Sequence, residues 1–376
     1  MINAGSSSVK FSVFDMAAGE QCFKSEIERV TFIEDALATI PKELEKKGQH
    51  RVDAVGHRIA HGGSLFRDAT IISDAVMADI EACVPLAPLH NPPALSGIKT
   101  TQKAWPDVPQ VAVFDTAFHQ TIPGYAYTYA VPEEWRAAGL RRYGFHGTSH
   151  RYIMERVAGE LKTPAGKLRI ISCHLGNGAS VCAIKNGISV DTSMGMTPLE
   201  GLVMGTRSGD VDPGIFTYLH SKLGLSPQQV EDALYHKSGL AALSGLGNDM
   251  RDIEKKVNEG DTHANLAIEV YVYRIKKYIG AYAAVMDGVD AIAFTGGIGE
   301  NSALVRRRVC SGMEFLGLHF DNAKNAQVKL AGYEAPQIQS APSKVRVLVT
   351  QTREQWMIAR ETLDFFHNPS SISVIS

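Results

Sequence analysis

The sequence is poor in cysteine and shows no paired pattern of it. Cys22, Cys83, Cys173, Cys182 and Cys310 are spread over 376 residues without a CxxC. An odd number at wide spacing argues against a disulfide framework and fits reduced thiols buried as small hydrophobes. Long apolar runs are missing as well. No stretch of about 18 uncharged apolar residues occurs, so no membrane span is expected. The start, Met1-Ile2-Asn3-Ala4-Gly5-Ser6-Ser7-Ser8, lacks the basic and apolar regions of a signal peptide, and a cytoplasmic location is expected. Charge of one sign is missing too. The chain carries 38 Lys and Arg against 40 Asp and Glu, a formal charge of −2. That balance gives no global electrostatic case for nucleic acid or an anionic membrane as partner. A local positive site for a small anion stays open. With 44% apolar and 21% charged residues, the composition is that of a globular chain about two domains long.

What is present is an alternation of strand and helix patterns. Strands are expected at 9–15, 52–56, 111–115, 169–174, 179–184, 290–295 and 345–350. Helices are expected at 34–47 (closed by Gly48), at 74–83, from Ser226-Pro227, at 261–287 and from 354 to about 366. The polar tail 368–376 is expected to fray. This alternation predicts an α/β fold. Gly5-Ser-Ser-Ser8-Val9 is echoed almost half a chain later by Gly176-Asn-Gly-Ala-Ser180-Val181, and each precedes a strand. The echo suggests a duplicated α/β unit with a cleft between the copies.

Several segments carry chemistry-bearing residues. In Asn3 to Lys10, Gly5 permits a tight turn, three serines offer donors and Lys10 adds a charge. A phosphate group suits that set, and so does a solvated turn. The spacing lacks the second glycine of a Walker A loop, and a strand follows where that loop needs a helix. His174-Leu-Gly-Asn-Gly178 follows a strand; its glycines would admit a polyphosphate, but Asn-Gly alone reads better as a hairpin turn. Thr295-Gly-Gly-Ile-Gly-Glu-Asn301 lies between a buried strand and a helix expected from Ser302, which brings backbone near a nucleotide. The Rossmann fingerprint is incomplete there.

Arg58 and Arg207 are both flanked by glycines and are expected on ligand-facing loops. Two guanidinium forks can clamp a transferring phosphoryl group, although for an isolated arginine or aspartate a surface ion pair is the better explanation. Asp115 ends a strand, where α/β folds place their chemistry. The pairs His57/His61 and His146/His150 have a metal-ligand spacing. The HExxH glutamate is missing, and Gly62, Gly63 and Gly147 oppose a helix, so zinc is not expected. His146 suits a phosphate or carboxylate contact instead.

Seven motifs occur in order: Asn-x-Gly-Ser-Ser-Ser-x-Lys, His-Arg-x-x-His-Gly-Gly, Phe-Asp-Thr-Ala-Phe-His, Tyr-Gly-Phe-His-Gly-Thr-Ser-His, His-Leu-Gly-Asn-Gly, Met-Gly-Thr-Arg-Ser-Gly-Asp and Thr-Gly-Gly-Ile-Gly-Glu-Asn. From Asn3 to about Arg360 the sequence closely resembles the acetokinase family, which includes propionate kinases. The resemblance implies an α/β protein of two ribonuclease H-like domains around an ATP cleft, in the acetate/sugar kinase, heat-shock ATPase and actin superfamily. It implies a discontinuous first domain (1–118 plus 356–376, with the C-terminal helix returning) and a second, nucleotide-binding and dimerisation domain at 119–355. It also implies a homodimer.

The implied activity is reversible ATP-dependent phosphorylation of acetate, or of propionate, to the acyl phosphate by direct in-line transfer. A propionate- or butyrate-preferring kinase, or a sugar kinase of the same fold, is the alternative. The implied cofactors are ATP/ADP and Mg²⁺, with Mn²⁺ able to substitute. By the same resemblance Arg58 and Arg207 bind the carboxylate and the moving phosphoryl group, and His146 contacts that group. Asp115 and Glu354 organise the metal, with Asn3 nearby. Asn3, Ser8 and Lys10 form the first phosphate loop, and His174, Gly176, Asn177 and Gly178 the second. Asp249, Met250 and Arg251, with Gly297, Ile298, Gly299, Glu300 and Asn301, flank the adenosine. Ala60, Leu89, Phe145 and Pro198 line the acyl pocket.

Two features depart from the family pattern. Only Met1 and Ile2 precede Asn3, so a short first strand is expected. Thr352-Arg353-Glu354-Gln355 stands where the family usually has Thr-Asn-Glu-Glu, which puts a cation beside Glu354. Ala60 stands where acetate-preferring members commonly carry valine, so propionate is expected to be accepted well.

Overall fold

Alternating apolar residues and tight turns build two sheets in the computed structural model, which describes residues 1–4, 8–28, 33–46, 48, 51–332 and 334–367. The chain divides into two units. The first takes Met1–Gln120, Phe145–Ser149 and the segment from Arg353 onward; the second takes Thr121–Gly144 and His150–Thr352.

The first unit contains β1 (Ile2–Ala4), β2 (Ser8–Asp15), β3 (Glu20–Glu28), β4 (Val55–Ile59), β5 (Thr70–Ile71) and β6 (Gln110–Phe114), in the sheet order β3-β2-β1-β4-β6-β5. The second contains β7 (Arg169–Leu175), β8 (Ala179–Lys185), β9 (Ile188–Thr192), β10 (Ala291–Thr295) and β11 (Arg346–Val349), in the order β11-β10-β7-β8-β9. In each, a three-stranded antiparallel meander continues into two parallel strands: β3-β2-β1-β4-β6 matches β9-β8-β7-β10-β11. This is the ribonuclease H-like order, present twice. The glycine-rich segments noted in the sequence join the first two strands of each copy.

Parallel strands buried on both faces are expected to be apolar throughout, and β6 is fully buried along its length. Ala112 and Phe114 pack with Ile59, Ile80, Leu95 and Ile98 on one face. Val111 and Val113 pack with Ile358 and Phe365 of the helix Glu354–His367 on the other. That helix closes on β4 at Gly56, where a Cβ would stand 2.2 Å from Thr362 Oγ1, so glycine is required. β1 pairs only three residues, Ile2 to Ala4, against the eight of β2. A cavity of about 670 Å³ lies beside the end of β2 that pairs with β3 but not with β1, bounded by Met1, Val13, Val55, Trp105 and Phe366.

Two elements differ from expectation. The helix expected at 34–47 is two, Ile33–Ala38 and Ile40–Lys46, because Pro41 has no amide hydrogen to continue the ladder. The strand expected at 52–56 forms at Val55–Ile59, where its register with β6 runs Val55↔Gln110 to Ile59↔Phe114. Arg58 therefore sits in a strand and not on a loop. The helix expected from Ser302 is present as Ala303–Cys310, capped by Ser302 Oγ on the Val305 amide, and a separate short helix, Gly296–Asn301, precedes it. The tail 368–376 lies outside the described residues. No helix among the described residues is long and apolar enough to cross a membrane.

His57 of β4 is 2% exposed, and its Nε2 lies 2.8 Å from Gln110 Oε1. Burial lowers its pKa to about 4, against the opposing hydrogen bond to Gln110. The unfolded chain therefore binds a proton between about pH 6.5 and 4 that the folded chain refuses, and stability falls with pH across that window. The full effect is on the order of 3 kcal/mol. Melting temperatures measured from pH 7 to pH 4 are expected to fall less steeply in His57→Gln than in the parent; parallel curves would refute this account.

Candidate active site

In the first unit, two parallel strands deliver the polar groups. Arg58 on β4 faces Asp115, the residue immediately after β6. Its Nε lies 3.2 Å from Asp115 Oδ1 and its Nη2 2.5 Å from Oδ2, a bidentate fork. Nη1 donates to Asn3 Oδ1 at 3.4 Å. Asp115 is buried and also accepts from Thr148 Oγ1 at 3.4 Å. Burial pushes its carboxyl upward and Glu354 adds to this, while Arg58 opposes both. Burial works against the Arg58 charge, but Asp115 and Glu354 outweigh it and hold the guanidinium protonated.

His146 precedes the helix Gly147–Glu160 with φ of 57°, a left-handed conformation more common for histidine than for most residues. Gly147 fixes it: its amide donates to the Asp115 carbonyl at 2.8 Å, and a Cβ there would lie 2.3 Å from that oxygen. The i,i+4 histidines do not share a helix face, since His57 lies in β4 and His146 precedes its helix.

The structure thus gathers Asn3, Arg58, Asp115, His146 and Glu354 in one region of the first unit. Ala60 and Phe145 are buried, at 7% and 4% exposure. Leu89, expected in the same apolar wall, is 53% exposed. Lys10 pairs with Glu26 on the neighbouring strand at 2.8 Å, so its charge is already partnered. Ser8 opens β2; residues 5–7 lie outside the described residues.

In the second unit, residues 176–178 form the β7–β8 hairpin turn. The Asn177 carbonyl accepts from the Gly205 amide at 2.9 Å, and its side-chain oxygen accepts from Asn248 at 2.7 Å. His174 on β7 lies 6.4 Å, centroid to centroid, from His150, whose ring nitrogens face Ser172 Oγ and Ser180 Oγ. Asp249 caps the helix Met250–Asn258 and grips Arg251. The Arg251 hydrogen bonds lower the Asp249 carboxyl to about 2. Met250 is buried. Gly296 (φ 78°) would place a Cβ 2.8 Å from the Leu175 backbone.

Gly297 is exposed at the start of the helix Gly296–Asn301, while Ile298 and Gly299 are buried. Glu300 is engaged within the fold, accepting from the Gly296 amide at 3.0 Å and the Thr352 amide at 2.9 Å. Asn301 donates to the Gly297 carbonyl.

Arg207 lies on the long connection after β9. Its Nη1 donates to the Pro198 carbonyl at 3.2 Å, and its guanidinium lies 5.9 Å from the Tyr235 ring centroid. Burial lowers its pKa. No carboxylate among the described residues pairs with it, in contrast to Arg58. The sequence reading missed the residues that hold this connection, namely Tyr129, Arg142, Glu200, Arg274 and Tyr278. Asp210 appeared only as the last letter of a motif. Their partners lie far apart along the chain, so no local pattern exposes them.

The Asp115 and Glu354 carboxylates with Asn3 Oδ1 supply hard oxygen donors, and burial of Asp115 favours a nearby cation. These residues suit a divalent ion such as Mg²⁺ in chemical type. Among the described residues no group of three His, Cys, Asp or Glu side chains forms a ready metal cage.

Two sheets with the same ribonuclease H-like order of five strands give the fold of the acetate/sugar kinase, heat-shock ATPase and actin superfamily. Within that class the chain belongs to the acetokinase family, which its residues 31–360 match. It is 47% identical to an acetate kinase of Heliobacterium modesticaldum over 392 aligned residues, covering 96% of this chain and 98% of that one. Among solved structures it resembles Porphyromonas gingivalis acetate kinase (TM-score 0.92, 43% identity, 96% and 98% of the chains). A propionate kinase from Francisella tularensis is also similar (TM-score 0.90, 39% identity, 96% and 98%). The chain is accordingly an ATP-using kinase that requires a divalent metal.

Proposed function

We propose that the protein transfers the γ-phosphoryl group of ATP to acetate, and to propionate, with Mg²⁺ (Mn²⁺ substituting), forming the acyl phosphate reversibly. The observation that carries this reading is Arg207: a desolvated guanidinium with no carboxylate partner among the described residues is a site for an anion. A carboxylic acid with a pKa near 4.3 is already ionised at pH 7, so the nucleophile needs no general base. The barrier lies in bringing two anions into line and neutralising the equatorial oxygens. Arg207 and Arg58 carry that charge in this scheme. His146, locked by Gly147, donates to the moving group. Asp115, Glu354 and Asn3 would hold the metal, which supplies charge neutralisation on the phosphates when bound.

The glycine hairpin at 176–178 and the segment 297–301, with Asp249 to Arg251, receive the nucleotide. The protein acts as a cytoplasmic homodimer in this reading. A sugar kinase would need a base for a neutral hydroxyl. Asp115 is a poor one, because Arg58 grips both of its oxygens. ADP release measured across short carboxylates and hexoses separates the two: turnover with acetate and none with hexoses supports this reading, and the reverse overturns it.

Ala60 bears on acyl choice. Burial of an extra methylene in such a pocket is worth roughly 1–3 kcal/mol. Ala60→Val is expected to shift the ratio of kcat/KM for propionate over acetate downward by about tenfold or more. An unmoved ratio would remove Ala60 from the pocket.

A further inference from the structure

The connection that carries Arg207 has no regular structure of its own between β9 and the helix Gly214–Leu223. Two carboxylates bracket it, and each is held in the same way, by one arginine and one tyrosine. Glu200 accepts from Arg142 Nη2 at 2.5 Å and from the Tyr129 hydroxyl. Asp210 accepts through Oδ2 from Arg274 Nη1 at 2.7 Å and from the Tyr278 hydroxyl at 2.9 Å.

Both clamps also reach the backbone of the connection. Arg142 Nη1 donates to the carbonyls of Thr192, Ser193 and Met194 at 3.0, 3.3 and 3.0 Å, and Tyr129 Oη accepts from the Met196 amide at 3.1 Å. Asp210 Oδ1 accepts from the Gly201 amide at 2.7 Å, and the Asp210 amide donates back to the Gly201 carbonyl at 3.0 Å. The segment between the clamps is thereby closed on itself. Pro198, whose carbonyl holds the Arg207 guanidinium, lies between the Met196 amide fixed by Tyr129 and Glu200 itself.

We infer that Glu200 with Arg142 and Tyr129, and Asp210 with Arg274 and Tyr278, are positioning residues that aim Arg207 at the acyl substrate through the Pro198 carbonyl. They touch no reacting atom. Their contribution is to hold an otherwise irregular segment within the fraction of an ångström that in-line transfer demands, where a displacement of about 1 Å costs on the order of 10² in rate. The inference rests on the proposed role of Arg207.

The test uses the full chain carrying Glu200→Gln, Asp210→Asn, Tyr129→Phe or Tyr278→Phe singly, with Arg207→Ala as reference. Steady-state kinetics with acetate and ATP are measured beside thermal melts. The expected result is a drop in kcat/KM for acetate of about 10- to 100-fold for the carboxylate variants and a smaller drop for the tyrosine variants, with KM for ATP unchanged. Folded variants with unchanged acetate kinetics overturn the inference. So does a KM for ATP raised as much as the KM for acetate, which would mark a general structural role. If a carboxylate variant does not fold, the tyrosine variants, which lose one hydroxyl each, decide by the same criterion. If Arg207→Ala itself retains wild-type kinetics, the reading of Arg207 fails; if it is crippled while all four clamp variants are not, the clamp alone fails.

Discussion

Arg207→Ala is expected to lower kcat by about 10²–10³ while leaving the melting temperature unchanged. The expectation follows from what Arg207 touches. Its protein partners are the Pro198 carbonyl, the Met204 sulfur and the Tyr235 ring, all neutral. Removing the side chain strands no buried charge, so folding loses little. Burial disfavours the cation in the absence of an anion. Such a group interacts more strongly with the charge that develops on a phosphoryl group than it does with anything in the resting protein, the condition for acceleration of the chemical step. Arg207→Lys keeps the charge without the planar fork and is expected to recover only part of the loss. Retention of near-wild-type kcat in the alanine variant would exclude Arg207 from the reaction.

Arg58→Ala is expected to differ. Its activity loss is of similar size, but its melting temperature falls as well. Asp115 is 2% exposed, and Arg58 supplies both hydrogen bonds of its bidentate fork. Without Arg58 a carboxylate stays buried beside Glu354 with its largest stabilising charge gone. Stranding a buried ion costs roughly 3–5 kcal/mol, reduced here because Arg58 itself is partly exposed. Asp115 would take up a proton at higher pH to limit that cost. The double variant Arg58→Ala/Asp115→Asn is therefore expected to regain most of the lost melting temperature and none of the activity. Thermal melts and kcat on the three proteins separate the two effects. An Arg58→Ala protein that melts with the parent would show that the pair contributes nothing to folding.

Much of the fold could be read from local pattern. β6 and β10 are short apolar runs bounded by turn residues, and Ser226-Pro227 with Gln229 is a complete helix start with a capping box. The echo between the two glycine segments pointed to a repeat, and both sheets have the same strand order. What local pattern could not give depended on pairing. The place of β4 follows from its register with β6, not from the apolar residues at 52–56, and that shift moved Arg58 from an expected loop into a strand. The break at Thr39 follows from one proline inside an otherwise helical stretch.

The site was legible as single residues and illegible as a network. Arg58 and Arg207 stood out by residue type and neighbouring glycines, and Asp115 by its place at a strand end. That Arg58 is paired while Arg207 is not, that Lys10 is already neutralised by Glu26, and that Glu300 is spent on two backbone amides required coordinates. The clamps at Glu200 and Asp210 join residues separated by tens of positions, beyond the reach of any spacing rule.

The most direct test of the central claim is trapping of the product. Incubation of the purified full chain with ATP, Mg²⁺ and acetate in hydroxylamine converts any acetyl phosphate to the hydroxamate, which is read colorimetrically. Hydroxamate formed in proportion to enzyme and to ADP released, and formed about 10²–10³ times more slowly by Arg207→Ala, is the predicted result. Absence of hydroxamate with acetate, propionate and butyrate alike, from folded protein that still binds ATP, would contradict it.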